Sequence, residues 1–263
     1  MLDKEVEVKF TIKIRAMVIE GFAVMTLCYC AGWCNIQDKL NPSDGVDFEE
    51  TLTAASVLFI LIVFAFEISG AQFNPAVSLA LALIKKQSWT TAFMFVVAQL
   101  IGSVLGAILI HISVYAEIKD NAYIRSSYPV PNYEFTRWSI FWFEYIAAFG
   151  LCYGFIFVLK NQGGRYMLAS TEFAIVITNM YTISGISGAC FNPARVFGPS
   201  LVENYVNFEG WYLYWFGPIL GGMAGMLSYE CVFDDKNVFD FVWAPKWVHK
   251  VLNWMNIPTG NSA

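Results

Sequence analysis

Apolar residues along this chain come in long unbroken blocks rather than in the short alternating runs of a half-buried sheet. Six blocks, roughly 14–36, 52–69, 89–115, 138–159, 167–185 and 211–233, approach or exceed the about 20 residues needed to cross ~30 Å of hydrocarbon. Two shorter blocks, 74–84 and 192–202, follow the second and fifth. At 1.5 Å per residue, each of these reaches only about half-way across. The pattern predicts an all-α membrane protein with six transmembrane helices and two re-entrant half-helices.

Composition agrees with that pattern. Hydrophobic residues make up 57% of the 263 residues, charged residues 14%, and the mean hydropathy is +0.52. Soluble domains carry about 25% charged residues, so much of this surface faces something other than water. Lys4, Lys9, Lys13, Arg15, Lys85, Lys86, Lys160, Arg165, Lys236, Lys246 and Lys250 fall on one side of the predicted spans. Only Lys39, Lys119, Arg125 and Arg137 fall on the other. The bias predicts cytoplasmic termini, in the plasma membrane or that of an organelle. Loops 37–51 and 116–137 then face the opposite side. The charged start, MLDKEVEVKFTIKIR, lacks the small-residue site of a cleavable signal.

An internal repeat narrows the class. Residues 68–76 read ISGAQFNPA and residues 186–194 read ISGACFNPA, identical at eight of nine positions at an offset of 118. Glu20 corresponds to Glu144, and Gly102 and Gly106 to Gly221 and Gly225. Three spans per half force the second copy to insert upside down, which brings the shared site to the bilayer midplane. The chain thus reads as one channel domain, 1–233, of inverted repeats at about 12–115 and 137–233, followed by a tail, 234–263. Asparagine is a good N-cap and proline suits the first helical position. Asn74-Pro75-Ala76 and Asn192-Pro193-Ala194 are therefore two helix starts meeting inside the membrane. Each start carries roughly half a positive charge, which repels cations and favours the oxygen of a passing water. Water held this way relays protons poorly. The preceding residues Gly70, Ala71, Gln72, Gly188 and Cys190 are expected to be extended, with carbonyls lining a pore, since non-helical backbone at this depth needs a wet or protein-lined path. Glu20 and Glu144 are read as structural carboxylates that fix these loops, with Gln99 assisting.

On these residues, from about 12 to 233, the chain resembles the aquaporin (major intrinsic protein) family. The resemblance implies one pore per subunit, a homotetramer, and passive flow of water and other small neutral solutes. It also implies that Arg195, after the second Asn-Pro-Ala, lines an outer filter completed by Ala54, Met180 and Ala189. Water-selective members place an aromatic residue, a histidine and a small residue or cysteine at those three positions. Glycerol facilitators place two aromatics and a glycine, and this chain matches neither. Two alanines and a flexible methionine imply a wider, less polar constriction, which methionine narrows by changing rotamer. Val196 and the Tyr214-Trp215 pair resemble the water branch. Gln72 stands where the family usually has histidine.

Glu67 is expected at the cytoplasmic end of the path, as a carboxylate held by nearby groups or as a gate. Cys190 lies one position from the thiol of mercury-sensitive members, so mercurial block is expected. Residues 243–256, WAPKWVHKVLNWMN, form a basic, Trp-bearing amphipathic helix suited to the membrane lipid surface, a tail-binding partner or the channel's own face. The net charge of −5 argues against nucleic acid. The six cysteines imply neither a disulfide framework nor a metal site, and no nucleophile–base pair or cofactor loop points to an enzyme. The competing reading is an accessory membrane protein that keeps the fold and conducts little.

Overall fold

In the computed structural model, residues 2–40, 48–115, 132, 134–202 and 210–233 are described. The helices are α1 (Leu2–Leu40), α2 (Phe48–Ser69), α3 (Pro75–Leu83), α4 (Trp89–Tyr115), α5 (Arg137–Lys160), α6 (Arg165–Ser187), α7 (Pro193–Val202) and α8 (Leu213–Phe233). The tail helix expected at 243–256 and most of loop 116–137 lie outside the described residues.

The helix ends follow local sequence chemistry. Asn74 is extended at φ −151° and accepts the Ala76 N–H at 2.9 Å, with Pro75 at the first position, so α3 starts on a capped proline. Asn192 likewise accepts the Ala194 N–H at 3.0 Å. The helices before these starts end in left-handed glycines, Gly70 at φ 85° and Gly188 at φ 78°, which stop α2 and α6 without a Cβ penalty. At 9 and 10 residues, α3 and α7 rise only about 14–15 Å.

Among the described residues, α1, α2, α4 and α5 are long and apolar enough to cross a membrane by length and composition. Helices α6 and α8 are of similar length, with 23 and 21 residues, but more polar or glycine-rich. Glu172, Asn179 and several threonines dilute α6, while Gly217, Gly221, Gly222 and Gly225 dilute α8. Part of this polarity faces inward, where Asn179 Nδ2 donates to the Ala147 carbonyl at 3.1 Å and Glu172 is buried. The exposed Thr178 and Thr182 return their hydroxyls to carbonyls of α6 itself.

Packing repeats across the two halves. Helix α1 packs on α4 as α5 packs on α8, and α1 on α2 as α5 on α6. The half-helices cross over, with α7 against α4 and α3 against α8. Two glycines show how close the helices run. A Cβ at Gly102 would overlap the Gly21 carbonyl, and one at Gly221 would overlap the Tyr145 carbonyl. Such small-residue contacts let helix backbones touch where lipid offers no hydrophobic drive. Outward-facing residues remain apolar, including Phe64, Ile112 and Trp138. Trp138, Phe141, Trp142 and Tyr145 cluster, mostly edge to face, with centroids 5.1–6.2 Å apart near the start of α5, a placement suited to a headgroup interface.

Candidate pore

The two loops before the half-helices have the same unusual backbone. Ala71, Phe73, Ala189 and Phe191 take positive φ of 53°, 50°, 48° and 36°. Non-glycine residues there are strained and persist only when their surroundings hold them. Two buried carboxylates supply that hold. Glu20 accepts Ser69 Oγ at 2.6 Å, the Gln72 N–H at 3.0 Å, the Phe73 N–H at 2.7 Å and Gln99 Nε2 at 2.8 Å. Glu144 accepts Ser187 Oγ at 2.6 Å, the Cys190 N–H at 3.0 Å and the Phe191 N–H at 2.6 Å. The fourth partner differs because Pro218 occupies the repeat position of Gln99 and has no donor.

The asparagine caps then cross between halves. Asn74 Nδ2 donates to the Phe191 carbonyl at 2.9 Å, and Asn192 Nδ2 donates to the Phe73 carbonyl at 2.9 Å. Each amide has a second N–H, available to a molecule passing between the two helix starts.

One cavity runs past both caps. It is lined by Ala54, Met180 and Arg195, by Ala71, Gln72, Asn74, Cys190 and Asn192, and by Ile62, Val77 and Glu172. The cavity has a volume of about 90 Å³, room for roughly six waters at ~15 Å³ each. Ala189 is fully buried, and its role in the geometry is its carbonyl, which accepts Arg195 Nη1 at 2.6 Å. The Gly188 carbonyl lies 3.5 Å from the same nitrogen, and Glu50 Oε1 lies 3.9 Å from Nη2. The guanidinium is thus fixed by backbone on one side and a carboxylate on the other. Tyr214 Oη donates to the Ser187 carbonyl at 2.5 Å, bracing the same loop.

Other candidates are placed differently. Gln72 and Gln87 form a reciprocal amide pair at 2.9 and 3.1 Å, and Gln87 also donates to the Ser78 carbonyl at 2.6 Å. Glu67 pairs with Arg165 at 3.3 Å, both solvent-facing, and lies outside the lining of this cavity. Sequence reading passed over Glu50 and Glu172. The signal for Glu172 was present, since a lone acid inside an apolar span is functional by default. For Glu50 there was a weaker one, four residues before Ala54 on α2 and so on the same helical face.

Two pseudo-symmetric halves, crossed half-helices and a cavity that passes both asparagine caps define a multi-pass membrane channel of the aquaporin fold. Residues 6–229 match the family described as major intrinsic protein, and the chain belongs to that family. Its members are channels, not enzymes. It is 29% identical over 222 residues to the lens fiber major intrinsic protein of Lithobates pipiens, covering 83% of this chain and 81% of that one. Aquaporin-8 of Rattus norvegicus is 30% identical over 200 residues, 74% of each chain. The neurogenic protein big brain of Drosophila melanogaster is 35% identical over 178 residues, 65% of this chain, but the match spans only 23% of that longer protein. The X-ray structure of the aquaglyceroporin from Plasmodium falciparum superposes with a TM-score of 0.72 at 18% identity, over 85% of this chain and 96% of that one.

Proposed function

We propose that this channel passes water, together with other small neutral solutes such as glycerol, urea, ammonia or hydrogen peroxide, and excludes protons and ions. The observation that carries this reading is the cavity lined jointly by Asn74, Asn192 and Arg195. Water crossing it meets an N–H from each cap, and two half-helix starts plus one guanidinium oppose any cation. A water whose oxygen is held by both caps points its hydrogens away along the file, which interrupts proton relay. Ala54 and Met180 at the Arg195 end leave the constriction without a second polar group, which supports passage of solutes larger than water. Similarity to Aquaporin-8 of Rattus norvegicus supports the water-channel part of this reading. The functional unit is a homotetramer, its apolar outer faces covered by lipid and by neighbouring copies, with both termini cytoplasmic.

The test is stopped-flow light scattering of proteoliposomes in separate sucrose and glycerol gradients. Fast shrinkage in sucrose and fast re-swelling in glycerol are expected. If a folded tetramer responds no faster than empty liposomes to either, conduction is refuted and an accessory structural role takes its place.

A further inference from the structure

The inverted repeat can be applied to the filter itself. Ala54 lies 20 residues before Asn74, and Glu172 lies 20 before Asn192. Met180 lies 12 before Asn192, and Ile62 lies 12 before Asn74. Arg195 follows Asn192 by three, and Val77 follows Asn74 by three. All six residues line the same cavity. Because the halves are inverted, the set Ile62, Val77 and Glu172 lies as far beyond the asparagines on one side as Met180, Arg195 and Ala54 lie on the other.

The second set differs in its chemistry. The first is apolar except for one cation, and the second is apolar except for one carboxyl group. Glu172 is only 3% exposed, and its Oε1 is fully buried without a hydrogen-bond partner. No hydrogen bond or ion pair joins it to any other described residue. Every other buried glutamate of the pore region is saturated: Glu20 holds four donors and Glu144 three. A buried polar group left without partners needs an explanation. Glu172 lines the cavity, and its Oε2, which is not sealed off as Oε1 is, is the oxygen a solute would meet.

We propose that Glu172 is a specificity-determining residue of an inner constriction, accepting hydrogen bonds from small neutral solutes rich in O–H or N–H donors, of the polyol and urea type. A carboxyl group accepts through a free oxygen whether ionised or protonated. Water in single file keeps its neighbours as partners. A polyol or urea molecule sheds most of its hydration in an apolar tube and depends on fixed stations to replace it. Arg195 offers donors at one end and Glu172 an acceptor at the other, with the asparagine amides between them.

This inference rests on the channel reading above, and the experiment separates the two. Water, glycerol and urea permeabilities would be measured in proteoliposomes of the parent chain, Glu172→Gln and Glu172→Leu, each normalised to the amount of folded tetramer. Glu172→Leu is expected to lower the glycerol-to-water and urea-to-water ratios about fivefold or more. Glu172→Gln, which keeps an accepting oxygen and the same shape, is expected to retain at least about half of each ratio. A parent chain that conducts nothing overturns the channel reading. A conducting parent that excludes both solutes, or whose ratios are unchanged in Glu172→Leu, overturns only the inner constriction. If Glu172→Leu does not fold, Glu172→Gln decides alone, read against Glu172→Met: equal ratios in both variants overturn the proposal.

Discussion

Replacing Glu144 by glutamine tests how the strained loop is held. Its Oε1 accepts from Ser187 and Cys190, and its Oε2 accepts only the Phe191 N–H at 2.6 Å. In Glu144→Gln the amide oxygen does best facing the first two donors, which sets its NH2 group against the Phe191 N–H. One hydrogen bond to a charged acceptor is lost and a buried N–H is stranded, together about 3–4 kcal/mol. Burying a neutral amide instead of a charge returns part of this, leaving a net loss of roughly 2–3 kcal/mol. At about 2–4 °C per kcal/mol for a chain of this size, the thermal midpoint in detergent should fall by roughly 5–10 °C. Water permeability per folded channel should fall with it, because Phe191 at φ 36° loses its tie. Glu20→Gln gives the parallel test in the first half. Gln99 Oε1 has no partner, so that amide can turn to accept from the new NH2 group. The Phe73 N–H that shares Glu20 Oε2 is nevertheless stranded as that of Phe191 is, and a loss of similar size is expected. Equal midpoints for Glu144→Gln and the parent chain, with unchanged permeability, would refute the role of the carboxylates as loop braces.

Gly221→Ala should sharply reduce the yield of folded protein on size-exclusion chromatography, since its Cβ meets the Tyr145 carbonyl, whereas Gly150→Ala, with nothing within 4 Å, should leave the yield unchanged. Met180→Trp should cut glycerol entry at least about tenfold while sparing part of the water flux, read by the same stopped-flow assay, because the ring fills the constriction beside Ala54. Arg195→Val should admit a cation current in planar bilayers by removing the guanidinium fixed on the Ala189 carbonyl. Mercurials should block water flux, and Cys190→Ala should lift the block; persistence would point to Cys28 or Cys30, which line the same cavity.

The parts of the fold visible in sequence were those set by local chemistry. Asn74-Pro75 and Asn192-Pro193 announced helix starts, and α3 and α7 begin at those prolines. Apolar block lengths gave the long helices to within a few residues, except at α1, which continues back to Leu2. There the charged run from Asp3 to Lys13 is helical yet invisible to a search for apolar windows. Long-range partners were less legible. The bond from Gln72 to Gln87 and the pairing of Arg195 with Glu50 join residues 15 and 145 positions apart, separations that no periodicity encodes. Glu172 escaped for another reason: the family resemblance directs attention to the outer filter, away from a lone acid whose place in an apolar span already marked it.

The crossed caps bear on how the chain can assemble. Asn74 is tied to a carbonyl of the second half, and Asn192 to a carbonyl of the first. The first re-entrant segment is therefore incomplete when its own half leaves the ribosome. The first must wait, its cap unpaired, until nearly 120 further residues have been made. The same two bonds would form between identical copies of one half related by a true two-fold axis. A pore of this kind needs two halves facing opposite ways, whether or not a single peptide chain joins them.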